Sequence, residues 1–320
     1  MVKEIKRGLV VSGGGAWGAY GAGILAGLNK KYDIIAGIST GALMSPLVAL
    51  REFVLLEEAY TSVNNKNIYD LKWYKPSPVT KKGKINLLAV IYALINGNSS
   101  LATCNNMRKT IDQFLTIEHY DMIRENGTHV LVGAQNLREK PSIIRYFDIL
   151  DCDFEDFKDW MWASAVAPFY CNLVEKEWKD DDGFTHQGQW TDGGVSELVP
   201  LEKVLDMMRG YKNVEKEIDI IIHRTDQEHT PEIDKVKNLV MNVDRVLDAM
   251  RYDIEFENIL KKAKKFANNR NATVNVYFLP RKLSANAMTF DKKIMKSWWV
   301  EGYESLNHMN NVITFKPNEK

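Results

Sequence analysis

The chain opens with a basic stretch and then a short apolar run, Leu9 to Ser12, that predicts a buried strand. Ala16 to Leu28 follows with small residues and with Ile24, Leu25 and Leu28 spaced for a helix. Ile34 to Ala36 predicts a second strand, Gly37 to Gly41 a turn, and Ala42 to about Tyr60 a second helix. Strand, glycine turn and helix, taken twice in succession, is the rhythm of a parallel sheet covered by helices. The expected fold class is therefore α/β.

Farther along, Lys72 to Lys84, "KWYKPSPVTKKGK", predicts an exposed loop, and "KINLLAVIYALING" a helix ending near Gly97. The plain reading of that loop is a solvated charge run. The alternative is contact with a membrane, for which Trp73, Tyr74 and the lysines are suited. Strands are expected at His129 to Ala134 and Ser142 to Phe147, then an acid-started helix in "DFEDFKDWMWASAVAP" halted at Pro168. "DDDGFTHQGQ" reads as a turn-rich connection, Trp190 and Thr191 as a short strand, and Ile218 to His223 as another strand. Ile233, Val236, Leu239, Val240, Val243, Leu247, Met250 and Ile254 keep helical spacing, and the pattern to Phe266 reads as a core-covering helix. A strand at Val274 to Leu279 and a helix around Ile294 to Tyr303 close the chain. No repeat and no linker-like shift in composition interrupts it, so residues 1–320 are expected to form one domain.

Composition narrows the function classes. The 320 residues are 45% hydrophobic and 26% charged, with 42 basic against 42 acidic side chains. A net charge of zero gives no global pull toward nucleic acid, so any steering must come from local patches. Cys104, Cys152 and Cys171 form no Cys-x-x-Cys pair, and an odd count fits a reducing compartment. The N-terminus has no apolar signal core, and no apolar run approaches the ~18 to 20 residues of a spanning helix. The expected location is cytoplasmic, with peripheral membrane contact as an option.

Gly13, Gly14, Gly15 and Gly18, in "GGGAWG", match the dinucleotide-binding glycine pattern. That reading needs an acid at the far end of the second strand, where this chain has Gly37-Ile-Ser-Thr-Gly41 instead; Asp33 precedes the strand. A phosphate-binding P-loop also fails, because no Gly-Lys-Ser/Thr follows. Gly-x-Ser-x-Gly between a strand and a helix instead places Ser39 on a sharp turn, as a nucleophile. If the first two strands are neighbours, the backbone amides of the glycine loop face the carbonyl that Ser39 attacks and form an oxyanion hole.

A serine hydroxyl needs a base. None of the histidines, His119, His129, His186, His223, His229 and His308, lies in a recognisable motif. Asp192, in "QWTDGGVSELVP", follows a strand and precedes Gly193 and Gly194, so a tight turn holds it. It is the candidate general base of a Ser–Asp dyad.

In order and spacing, "GGGAWG", "GISTG" and "DGG", with "WASAVAPFY" before the last, resemble the patatin-like phospholipase family over residues 8 to 200. The resemblance implies a three-layer α/β/α sandwich with a mostly parallel sheet and a lipid acyl hydrolase. It implies Ser39 as nucleophile, Asp192 as base, Gly13, Gly14 and Gly15 as the oxyanion hole, an acyl-enzyme intermediate, and no metal or organic cofactor. Thioesterase or acyl transferase activity on soluble acyl carriers, and non-catalytic lipid binding, are the alternatives. The family usually carries Arg or Lys where this chain has Trp17, which shifts the expected substrate toward an apolar or neutral ester.

Overall fold

The computed structural model describes residues 4–80, 84–140, 143–180, 182–225, 256–284, 286–308 and 311–317. Its centre is a nine-stranded sheet made of β1 (Ile5–Val11), β2 (Ile34–Ile38), β3 (His129–Asn136), β4 (Ile144–Asp148), β5 (Val174–Lys179), β6 (Thr185–Asp192), β7 (Glu215–Thr225), β8 (Ala272–Leu279) and β9 (Val312–Phe315). The order across the sheet is β5-β6-β3-β2-β1-β7-β8-β9, with β4 paired to β3. The five strands from β3 to β8 in that order run parallel, and β4, β5, β6 and β9 add antiparallel pairings.

Alternation along the central strands builds the layers. Leu9, Val11 and Ile35 point into one apolar core, and Val10, Ile34 and Ala36 into the other. The first core is covered by α1 (Gly18–Leu28), α2 (Thr40–Leu50), α3 (Phe53–Thr61), α8 (Phe154–Ala165) and α11 (Lys292–Ser305). The second is covered by α9 (Leu201–Gly210) and by α10, described over 256–270. Helices on both faces of a mostly parallel sheet give the expected three-layer α/β/α arrangement.

Several expectations change in detail. The pattern from Ala42 to Tyr60 is two helices, because Arg51 takes a left-handed conformation (φ 61°) that ends α2. Between α3 and β3 lie α4 (Asn65–Ile68), α5 (Leu87–Ile95), α6 (Asn105–Phe114) and α7 (Ile117–Glu125). The second half of the turn-rich stretch is strand from Thr185 onward: β5 and β6 form a hairpin that pairs Glu175 with Gln189 and Glu177 with Gln187. Cys104 and Cys171 are joined by a disulfide, and only Cys152 is a free thiol. The cysteine count therefore no longer argues for a reducing compartment. The helical pattern from Ile233 to Ile254 lies outside the described residues. Among the described residues no helix is long and apolar enough to cross a membrane.

Candidate active site

Strand β2 ends at Ile38 and α2 begins at Thr40, so the chain must reverse at Ser39. Ser39 does this at φ 56°, ψ −124°, a conformation that costs a non-glycine residue on the order of 1 to 3 kcal/mol. Its neighbours explain how the turn closes: a Cβ on Gly41 would stand 2.3 Å from the Val11 carbonyl oxygen, so only glycine fits beside β1. The turn is fixed from outside by Ser164 of α8. The Ser39 amide donates to Ser164 Oγ (3.0 Å), and that hydroxyl donates to the Gly133 carbonyl of β3 (2.6 Å).

Asp192 reaches the same place from the other side of β3. In the sheet Ile38 pairs with Gly133 and Asp192 pairs with Ala134, which sets Ser39 and Asp192 level across a single strand. Two ladder steps separate their backbones by about 10 Å, a gap that two side chains pointing inward can close. The Asp192 amide donates to the Val166 carbonyl at the end of α8 (3.0 Å), and its Oδ1 accepts from the Gly194 amide (2.7 Å). The C-terminal end of α8 therefore braces both candidate residues, one through Ser164 and the other through Val166.

The glycine loop is laid against this pair from β1. A Cβ on Gly13 would lie 3.3 Å from the Ser39 Cβ. The Gly13 amide donates to the Leu198 carbonyl (3.0 Å), so it is committed within the fold. The amides of Gly14 and Gly15 make no hydrogen bond among the described residues, while the Ala16 amide donates to the Ala287 carbonyl (2.8 Å). Of the three glycine amides, only that of Gly13 is therefore engaged within the described fold. Gly15 sits at φ 54° with the Ala287 carbonyl oxygen 2.4 Å from where a Cβ would be, so no other residue fits there.

His223 supports the loop from beneath. Its amide donates to Ser12 Oγ (2.8 Å), and its Nδ1 lies 2.9 Å from the Ser12 carbonyl, which can only accept; Nδ1 therefore carries the proton. Complete burial pushes the imidazole down to about 4, so it is neutral at pH 7. No described histidine lines the cleft that holds Ser39 and Asp192. His129 pairs with Asp148 (2.6 Å) at the start of β3, the opposite edge of the sheet. His186 pairs with Asp180 (2.7 Å) on the β5–β6 hairpin, His119 caps α7, and His308 is exposed. His229 lies outside the described residues. Asp33 accepts from Lys6 Nζ (3.0 Å) and the Arg7 amide (2.8 Å) before β2, far from any ribose position.

The cleft around Ser39 and Asp192 measures about 160 Å³, and Trp17, Tyr170, Arg224, Lys282 and Met288 also line it. Trp17 is buried, donates from Nε1 to Ser284 Oγ (2.8 Å), and carries the Arg224 guanidinium over its ring at 4.8 Å. A cation is thus present beside the position where the sequence lacks one, delivered by β7 instead of by the glycine loop. A second cavity of about 80 Å³ shares Gly15 with the first and adjoins Thr40. Its walls are almost wholly apolar, including Leu47, Val63, Ile111, Phe114, Met161 and Phe290.

Sequence reasoning brought Ser39, Asp192 and the glycines together and missed their supports. Ser164 lies in "WASAVAPFY", a stretch singled out without a role for its serine. Leu198, Ser12, His223 and Arg224 carry no local signal, since each acts through a contact distant in sequence.

Among the described residues no three His, Cys, Asp or Glu side chains gather as a metal site. No curated protein matches the chain. Among solved structures it is similar to the crystal structure of VipD from Legionella pneumophila, with a TM-score of 0.47 and 12% identity, covering 97% of this chain and 68% of that one. The family model for patatin-like phospholipase matches residues 9–205, more than half of the chain, from within the first strand to past Asp192. The chain belongs to the patatin-like phospholipase family.

Proposed function

We propose that this protein is a serine lipid acyl hydrolase in which Ser39 is the nucleophile, Asp192 the base, and the Gly14 and Gly15 amides the oxyanion hole. The observation that carries the reading is the level placement of Ser39 and Asp192 across β3, with two uncommitted amides beside the serine. Asp192 takes the Ser39 proton as Oγ attacks the ester carbonyl, and the negative charge developing on that oxygen falls to the loop amides. Asp192 hands that proton to the leaving oxygen as collapse expels the alcohol and leaves the acyl group on Ser39; Asp192 then takes a proton from the attacking water and returns it to Ser39 Oγ as the fatty acid departs. The N-terminal end of α2 adds favourable potential for the oxyanion.

The apolar cavity beside Gly15 and Thr40 suits an acyl chain. Arg224 and Lys282 at the polar cleft suit an anionic head group and offset the loss of charge at Trp17, so a phospholipid is favoured over a neutral ester. The same two cations would also serve the phosphates of an acyl-CoA, which keeps thioester cleavage as the second reading. The continuous sheet from β1 to β9 supports residues 1–320 as one domain.

Incubation with phospholipid vesicles, a p-nitrophenyl acyl ester and an acyl-CoA in parallel tests the proposal. Fatty acid release from the vesicles, abolished in Ser39→Ala and lost in Asp192→Asn, is the expected result. Turnover that survives Ser39→Ala, or a Ser39 that does not react with a fluorophosphonate probe, overturns the mechanism.

A further inference from the structure

Helix α5 is built with its large side chains facing out. Ala89 and Ala93 are its buried positions, packed with Leu101. Leu87, Leu88, Ile91, Leu94 and Ile95 are 60%, 66%, 45%, 76% and 78% exposed. At 100° per residue these five aliphatic side chains occupy one stripe about 120° wide. A stripe of that width normally faces a protein core; here the core side of the helix is given to alanine.

The residues before α5 are also exposed and contact it. Trp73 is 97% exposed and Tyr74 50%. Lys75 Nζ lies 5.8 Å from the centre of the Tyr92 ring, which ties the loop to the helix. The Asn86 amide donates to the Pro78 carbonyl (3.0 Å), and Val79 bridges Ile85. No Asp or Glu occurs between Asp70 and Asp112 in the sequence, whereas Lys72, Lys75 and Lys84 fall there, in a chain whose net charge is zero. Exposed apolar side chains, exposed aromatics and lysines thus lie on two segments that contact one another.

Helix α5 adjoins the cleft. Ile85, Val90 and Tyr170 pack on the Ala89–Ala93–Leu101 cluster, and Tyr170 also lines the cleft of Ser39 and Asp192. The Leu101 and Ala102 amides donate to the Phe169 and Tyr170 carbonyls (2.9 and 3.0 Å), and the Cys104–Cys171 disulfide fastens the same two segments. Phe169, itself half exposed, continues the apolar rim.

We propose that α5, with Trp73, Tyr74, Lys72, Lys75 and Lys84 before it, docks the protein on an anionic lipid bilayer, with α5 lying in the interface and these lysines on the head groups. The proposal deepens the function given above and rests on that reading for its lipid substrate. The stripe suits the acyl boundary, Trp73 and Tyr74 the head-group level, and the lysines an anionic leaflet. A second copy of the chain is a poorer occupant, because a symmetric contact through this face would set lysine against lysine.

The test uses the full chain carrying Ser39→Ala, so that vesicles survive the measurement. Co-sedimentation is measured on phosphatidylcholine vesicles with and without about one third phosphatidylserine. The parent binds the anionic vesicles. Leu94→Glu with Ile95→Glu lowers the partition coefficient by at least about thirtyfold, as loss of two buried aliphatic side chains requires. Lys72→Gln, Lys75→Gln and Lys84→Gln together lower it about fivefold per lysine, on anionic vesicles alone. With Ser39 intact, the Glu pair loses vesicle hydrolysis in step with binding and keeps its turnover of p-nitrophenyl butyrate, which also reports that it folds.

A parent that does not bind, or a Glu pair that binds as the parent does, overturns the docking surface. So does sedimentation equilibrium showing a dimer that the Glu pair dissociates. Vesicle binding without ester hydrolysis of either kind would count against the enzymatic reading while supporting the docking surface.

Discussion

The carboxyl edge of the sheet and the outer face of α5 are opposite in character: one is fixed by hydrogen bonds, the other is left largely without partners. At the sheet edge almost every polar group is claimed: Ser39, Ser164, Gly13 and Asp192 are each tied to a different element. On α5, five large aliphatic side chains touch little of the protein at all. A catalytic constellation gains from being over-determined, because misplacing a reacting group by about 1 Å can cost 100-fold in rate. A surface that meets a fluid bilayer needs no fixed partner, only area and charge of the right sign.

The sharpest way to separate the two regions is to remove the chemistry and leave the surface. Ser39→Ala should abolish fatty acid release, and Asp192→Asn should lower kcat by roughly 10³- to 10⁴-fold, with vesicle co-sedimentation unchanged in both. Next in size is an acid effect confined to the sheet edge. His223 is held down to about 4 by burial, against 6.5 in the unfolded chain, so the unfolded state binds a proton first as pH falls. Stability from this group is full above pH 6.5 and drains away as pH falls toward 4, by about 3 kcal/mol in all. Urea melts at pH 7 and pH 4.5 check it; His223→Asn should flatten the difference, while lysine-borne vesicle binding persists to the lower pH.

Ser164→Ala strips one hydroxyl from the brace and leaves the Ser39 amide and the Gly133 carbonyl without their partner. The expected cost is about 2 kcal/mol of stability, with kcat lowered about tenfold and KM little moved, read by denaturant melts and steady-state kinetics. The smallest effect belongs to α5. Leu94→Gln, at a position 76% exposed, should change stability by no more than about 0.5 kcal/mol. A comparable change at fully buried Ile35 would be severe, and a thermal melt of Leu94→Gln that dropped steeply would mean that α5 is packed against something in solution.

What the sequence disclosed follows the same divide. β1, β2, the serine turn and the Asp192 turn are each a continuous local pattern, so strand, glycine and nucleophile could be read together. The braces join residues far apart in the chain: Ser39 to Ser164, Gly13 to Leu198, Trp17 to Arg224. No local pattern encodes such pairs. The β5–β6 hairpin stayed hidden because several of its outward positions are polar and its apolar alternation is short. The disulfide was equally illegible, since a spacing of 67 residues favours no pairing. For α5 the sequence announced only a helix ending near Gly97; which way its apolar side chains face is set by what packs on Ala89 and Ala93.

Strand β3 has a consequence beyond holding the sheet together. Ser39 and Asp192 never share an element; each takes its height from β3, one through Gly133 and the other beside Ala134. If β6 slipped by one residue, its side chains would all exchange faces and Asp192 would turn away from the serine. Alignment is therefore all or none in each molecule. Preparations that fold imperfectly should differ in how many molecules are competent, counted by titration of Ser39 with a covalent probe, while each competent molecule turns over at the same speed. On the proposed function, the active fraction is a gauge of strand register.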